Sequence, residues 1–287
     1  MDLKLKASSD IFIKYLFGSE QNKDLLLSFV NAVLAHSGFN KIIEIEIKNP
    51  FNLKTFAVDK ESILDVKATD EKGRQFDIEV QSLGNESFKN RSLYYWARLY
   101  SSQIIQGQKY SKLKPAISIN VLDFNLIKES DSFHNTFILT EKDDPSLVLT
   151  DNLVIHYLEL PKLNDVNENS KLSRWLNYLK MDGSGDVKMI TILNDLIEED
   201  EDIKKAHREY QKFTQDDELR EIFESRLKWQ MDQNSLIDGA KIEGKIEGKI
   251  ESAMKLISRD FSTEDIADIV GLPTEKVIQL KKTVQKT

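Results

Sequence analysis

The chain has 287 residues, 40% of them hydrophobic, which suffices for one large domain or one domain with appendages. It has no cysteine, which excludes disulfides, thiolate zinc sites and cysteine nucleophiles. The net charge of −8 is uneven: residues 1–120 hold 17 Lys and Arg against 14 Asp and Glu, and the remainder 23 against 34, so the first part is mildly basic and compatible with a nucleic-acid partner. No apolar run reaches membrane-spanning length, and MDLKLKASSD lacks the apolar centre of a signal peptide, so a soluble cytoplasmic protein with no membrane partner is expected. The four histidines, His36, His134, His156 and His207, show no ligand spacing and are expected at the surface or half-buried.

In chain order, Asp10–Gly18 is predicted as a short helix, with Ser8, Ser9 and Asp10 as candidate N-caps and Gly18 as the stop. Its Phe12, Leu16 and Phe17 are core candidates. Gln21–His36 is a second helix, with Leu25, Leu26, Phe29, Val33 and Leu34 at helical spacing. Ile42–Ile47 reads as a strand or an extended lead-in, and Asn49–Asp59 as loop.

The stretch Ile63–Gln81 then alternates twice around a turn. Leu64, Val66 and Ala68 are apolar on the first arm, and Phe76, Ile78 and Val80 on the second. Period-2 alternation predicts two half-buried strands, and Gly73 in Thr69–Gly73 suits a turn that needs positive φ. Another register is open, but the most economical one, a loop centred near Lys72, sets Asp65 opposite Glu79, Ile63 opposite Gln81 and Lys67 opposite Asp77. Opposed Cβ atoms lie about 4.5–5.5 Å apart. Two carboxylates held that close repel unless a divalent metal or a shared proton lies between them. The bland alternative is a solvated strand face with a Lys67–Asp77 ion pair.

Phe88–Tyr110 is predicted as one long helix, with Tyr94, Tyr95, Leu99 and Ile105 as packing residues. Arg91 and Arg98 stand two turns apart on one face, suited either to phosphate contacts or to lying over the sheet beside an acidic neighbour. Pro115–Leu122 reads as a buried central strand, and Phe133–Leu139 and Leu153–Leu160 as further strands. Beyond Lys162, Leu172–Lys180 is helical with Trp175 and Leu179 inward, Asp182–Asp186 is a break, and Val187–Ala253 is helix with acidic interruptions. The repeat Lys241–Glu251 has period four. It sets Ile242, Ile246 and Ile250 in one stripe beside Ala240, Gly244, Gly248 and Ser252. Its interior glycines cost a helix about 1 kcal/mol each, which close helix packing would offset, so oligomerisation or packing on the chain's own domain is expected. Ser262–Leu280 has a capping box, inward Ile266, Ala267 and Val270, and a Gly271-Leu-Pro turn, the pattern of a helix-turn-helix.

Asp65 followed by Glu79-Val80-Gln81 resembles the D…(D/E)-x-K core of the PD-(D/E)XK nuclease superfamily, with Gln81 where lysine usually stands. Alongside it, Asp10–Gly18, Asp77–Gln81, Arg91-Ser-Leu-Tyr-Tyr95 and Gln103-x3-Gly107-x2-Tyr110 resemble the Rpn family of recombination-promoting nucleases and transposases, over roughly residues 8–125. The resemblance implies an α/β fold with a restriction-endonuclease-like mixed sheet flanked by helices over 1–161. A helical extension over 162–238 and a repeat helix with a helix-turn-helix-like tail over 239–287 would follow. It implies a Mg²⁺-dependent endodeoxyribonuclease, with Mn²⁺ or Ca²⁺ as alternative ions, acting on DNA, expected to be double-stranded, in recombination. Asp65, Glu79 and the Val80 carbonyl would hold the metal, and Gln81 would orient the attacking water. Lys67 would supply the charge an amide cannot. Asp10 would be an accessory acid, and Arg91 and Arg98 phosphate ligands. The chain would form a homo-oligomer through its C-terminal helices. The same face also fits a catalytically degenerate DNA-binding or interaction module, or a transposase that transfers strands after cleavage.

Overall fold

The computed structural model describes residues 5–51, 65–82, 84, 87–163, 170–180 and 187–284. The expected positions of Ile63 and Leu64, most of the 49–59 loop and the 182–186 break lie outside these residues. Two compact units are present, Met1–Phe223 and Glu224–Thr287.

The first unit is built on a six-stranded mixed sheet. Its strands are β1 (Ile45–Ile47), β2 (Val66–Asp70), β3 (Gln75–Gln81), β4 (Ala116–Leu122), β5 (His134–Thr140) and β6 (Val148–Glu159), in the order β1-β2-β3-β4-β6-β5. The β3–β4 and β4–β6 pairs are parallel and the others antiparallel. All seven residues of β4 are buried, as expected for a central strand covered on both faces. One face is covered by α1 (Asp10–Gly18) and α2 (Lys23–His36), whose Phe12, Phe17, Leu25 and Phe29 pack with Val66, Phe76, Ile78 and Ile119. Helices α4 (Lys171–Lys180) and α6 (Glu201–Gln215) add Trp175, Tyr178 and Phe213 to this same core, and α5 (Val187–Glu199) runs between them in sequence. The segment set apart in sequence as a helical extension therefore begins inside the core of the first unit. On the opposite face α3 (Phe88–Ser101) meets Leu122, Leu153, Ile155 and Tyr157 through Phe88.

Two features depart from what the sequence pattern predicts. Helix α3 ends at Ser101 rather than Tyr110. The Gln103 side chain accepts from Lys114 N at 2.8 Å and donates to Lys114 O at 2.9 Å, and Gly107 takes φ +88°, so the chain turns back instead of continuing. The residues that pack are also different. Phe88 and Ser92 are the buried residues of α3, and Trp96 reaches Ala116 O, whereas Tyr94 and Ile105 are exposed.

The histidines are not scattered. His134 and His156 are buried, and they form a chain with His36 at the end of α2: the His36–His134 Nδ1 atoms lie 2.9 Å apart, and His134 Nε2 lies 3.0 Å from His156 Nδ1. Ser37 and Thr136 hydroxyls sit among them. Burial lowers His134 to about 4 and His156 to about 3, with electrostatic interaction with His36 adding to the first shift and with His134 to the second. The ring of His207 remains on α6, away from this chain of contacts, beside Tyr210.

In the second unit, the end of α7 (Asp217–Ile257), α8 (Thr263–Val270) and α9 (Thr274–Val284) bury Ala253, Ile257, Ile266 and Val277 together. Ser262 caps α8 by accepting from Asp265 N, and Gly271 takes φ +62° in the turn, where its carbonyl accepts from Lys249 Nζ. The repeat lies within α7. Its Ile242 and Ile246 are exposed, and a Cβ at Gly244 or Gly248 would meet nothing within 4 Å.

Candidate active site

The β2–β3 hairpin pairs Val66 with Ile78, Lys67 with Asp77 and Ala68 with Phe76. This is the register the sequence implies, and its continuation by one residue places Asp65 level with Glu79. Asp70 closes the turn: its carboxylate accepts from Lys72 N and Arg74 N, and Gly73 stands at φ +79°. Phe76, Ile78 and Val80 enter the core beneath α1 and α2, so strand alternation turns Asp77, Glu79 and Gln81 to the other face, towards α3.

There a cleft of about 470 Å³ opens, with Asp65, Asp77 and Glu79 among its walls on the hairpin side and Tyr95, Arg98 and Ser102 on the α3 side. Lys67 lies in it too, but its Nζ pairs with Asp65 Oδ2 at 3.1 Å. The Lys67–Asp77 ion pair of the bland alternative gives way to one with Asp65, two residues earlier on the same arm of the hairpin. Asp77 is buried and hydrogen-bonds Asp65 side chain to side chain. Desolvation first, then the Asp65 charge, push its carboxyl up to about 8, so it carries a proton at neutral pH. Its Oδ1 has no partner among the described residues. Burial also raises Glu79, with Arg91 opposing and Asp65 reinforcing the shift. Gln81 Nε2 and Arg91 Nη2 both donate to Glu79 Oε1, at 2.9 and 3.3 Å. Arg91 also lies over the Phe88 ring, 4.9 Å from its centroid.

Asp65 is held from behind. Lys14 on α1 is buried, and its Nζ donates to Asp65 O at 2.7 Å and Asn49 O at 2.8 Å. The Asn49 amide donates to Asp65 O and accepts from Lys67 N, which fixes the two successive peptides on either side of Val66. Burial lowers Lys14 to about 8, partly offset by attraction to Asp65. Asp10 sits one turn earlier, where its carboxylate accepts from Ile11 N; it is not among the residues lining the cleft.

Of the residues singled out in sequence, Asp65, Lys67, Glu79 and Arg98 line one cleft, and Gln81 and Arg91 attach to it through Glu79. Sequence reasoning missed Asp77, Lys14, Asn49 and Tyr95. Asp77 was legible, because it stands two residues before Glu79 on the same strand face. The contribution of Lys14 depends on how α1 crosses the start of β2, which no local pattern encodes.

A family model for PD-(D/E)XK nuclease family transposases matches residues 7–240. The chain belongs to this family. The match spans the hairpin, the mixed sheet and the helices after it, and it supports a nuclease- or transposase-related function. No curated protein and no solved structure matches the chain significantly. No helix among the described residues is long and apolar enough to cross a membrane.

PD-(D/E)XK nucleases generally use divalent metals. Among the described residues, no three His, Cys, Asp or Glu side chains gather closely enough to hold an ion. The donors present nonetheless suit a hard cation that keeps most of its water and needs only one or two carboxylates. The unpartnered Asp77 Oδ1 and the mutual repulsion of Asp65, Asp77 and Glu79 are what such a cation would relieve.

Proposed function

We propose that the chain is a metal-dependent DNA endonuclease that hydrolyses phosphodiester bonds and acts in recombination. The observation that carries this reading is the crowding of Asp65, Asp77 and Glu79 into one cleft, with burial and mutual repulsion raising Asp77 and Glu79. Asp65 and Glu79, with the Val80 carbonyl, would hold Mg²⁺; Mn²⁺ and Ca²⁺ suit the same oxygen donors. Such an ion, when bound, makes water a better nucleophile and neutralises charge on the phosphate.

The chain's own residues do the rest. Lys14 and Asn49 fix the Asp65 peptide, so its carboxylate stays aimed into the cleft. Gln81 and Arg91 hold one oxygen of Glu79 and leave the other to a ligand. Lys67 brings the positive charge that Gln81 lacks, and Arg98 stands across the cleft where a phosphate would lie. Asp77 carries a proton near the site at neutral pH. Asp10 would act as an accessory acid only by moving from its present hydrogen bond to Ile11.

The test is cleavage of single-stranded and supercoiled double-stranded circular DNA with Mg²⁺, Mn²⁺, Ca²⁺ or EDTA, comparing the native chain with Glu79→Ala. Metal-dependent cutting that disappears in the variant supports the proposal. Equal cutting by both proteins defeats it.

A second reading, a catalytically degenerate binding module, is favoured by Gln81 at the lysine position and by the engagement of Lys67 with Asp65. That reading expects DNA binding with no cutting on any substrate. We also propose that the chain forms homo-oligomers through its C-terminal helices, supported by exposed Ile242 and Ile246 beside Gly244 and Gly248. Sedimentation of the full chain, with and without Ile242→Lys, checks this.

A further inference from the structure

Between residues 87 and 122 this acidic chain has no Asp or Glu and six Lys or Arg: Lys89, Arg91, Arg98, Lys109, Lys112 and Lys114. The stretch comprises α3, the loop after it and β4. The loop is fastened at its neck by the paired Gln103–Lys114 hydrogen bonds, and every residue from 105 to 112 is exposed. Large rings stand out on this surface. Tyr94 is 61% exposed and Tyr110 82%, although a helix covering a sheet would ordinarily turn such residues inward. The cleft is continuous with this surface, because Tyr95, Arg98 and Ser102 form its α3 wall.

A basic surface with exposed aromatic rings is the combination that binds unpaired nucleic acid. Phosphates meet the cations, and bases stack on the rings. Duplex DNA would engage the cations alone, since its bases are already stacked on one another. We propose that α3 and the 103–114 loop form a track for single-stranded DNA, with bases stacking on Tyr94 and Tyr110, that feeds the strand past Arg98 into the carboxylate cleft. The inference rests on the nuclease reading of that cleft and departs from the double-stranded substrate expected in sequence. An unpaired strand, at a melted junction or an end, is then the segment that is cut.

Fluorescence anisotropy of the full chain with labelled oligothymidine, and with a duplex of equal length, tests this in EDTA, where nothing is cut. Oligothymidine should bind more tightly than duplex. Tyr94→Ala with Tyr110→Ala should weaken oligothymidine binding about tenfold or more and leave duplex binding and the melting temperature unchanged. Lys109→Gln with Lys112→Gln should make the salt dependence of log K shallower by about 1.4. Duplex binding equal to or tighter than oligothymidine binding, or an unchanged tyrosine variant, overturns the track. Because binding is read without metal, a chain that prefers single strands but never cuts defeats the nuclease reading alone. A chain that cuts and shows no single-strand preference defeats the track alone.

Discussion

Two buried polar clusters sit in different parts of the same sheet, and burial drives both towards neutrality from opposite sides. Around β2 and β3, Asp65, Asp77 and Glu79 crowd together, and burial raises Asp77 and Glu79. Around β5 and β6, His134 and His156 are buried, and burial lowers both. The difference lies in how each is resolved. The histidines hydrogen-bond one another, His36, Ser37 and Thr136, with His156 Nε2 alone of their ring nitrogens buried without a partner among the described residues, and β5, β6 and α2 enclose them. The carboxylates open onto a cleft, where they face Lys67 and Arg98, and Asp77 Oδ1 has no partner among the described residues. Each cluster keeps one buried atom without a partner among the described residues, so satisfaction does not separate them. Access does: a polar cluster enclosed by the chain serves the fold, and one that lines a cleft is suited to a ligand.

The largest expected effect lies on the carboxylate side. Asp65→Ala should lower DNA cleavage by about a thousandfold, because several kcal/mol of transition-state stabilisation depend on this acid. Its melting temperature should not fall, since the variant removes a crowded charge. On the histidine side the pattern reverses. His156→Ala should cost about 2–4 kcal/mol in chemical denaturation, through a cavity and lost hydrogen bonds, and leave the cleavage rate of the folded protein unchanged.

Titration separates the clusters by sign. The folded His134 and His156 values lie below the unfolded 6.5, so the unfolded chain takes up more protons. Their stabilising contribution is present above pH 6.5 and is lost as pH falls towards 4 and 3. Asp77, raised to about 8 from 3.8, runs the other way, with stability present below 3.8 and lost as pH rises through about 8. Asp77→Asn should therefore raise the melting temperature at pH 8 and not at pH 4, as thermal denaturation at the two pH values would show. The smallest effect belongs to Gln81→Lys, which places a cation beside Glu79 and should change the cleavage rate by less than about tenfold, on the favourable side.

Much of this was legible in the sequence, for physical reasons. Strand period and the need for an apolar inner face determine the hairpin register, so the spacing of Asp65, Lys67, Glu79 and Gln81 is enough to put them on one face. The continuous apolar run of 115–122 marks β4 as central. Legibility fails where long-range contacts decide. Nothing near His36 in sequence announces His134 or His156, which β5–β6 pairing and the end of α2 bring to it. Lys14 reaches Asp65 because α1 crosses the start of β2, and Asn49 because β1 pairs with β2. The amphipathic pattern of 88–110 suggests buried tyrosines, but α3 seats itself through Phe88 and Ser92, and the Gln103–Lys114 clasp ends it early.

The most direct test of the contrast between the clusters is calorimetric titration of the full chain with Mn²⁺ at neutral pH, in the native, Glu79→Ala and His156→Ala proteins. Binding in the native and His156→Ala proteins, and none in Glu79→Ala, is the result expected of a carboxylate cluster suited to a cation. No binding in the native chain, or binding that survives Glu79→Ala, would contradict it.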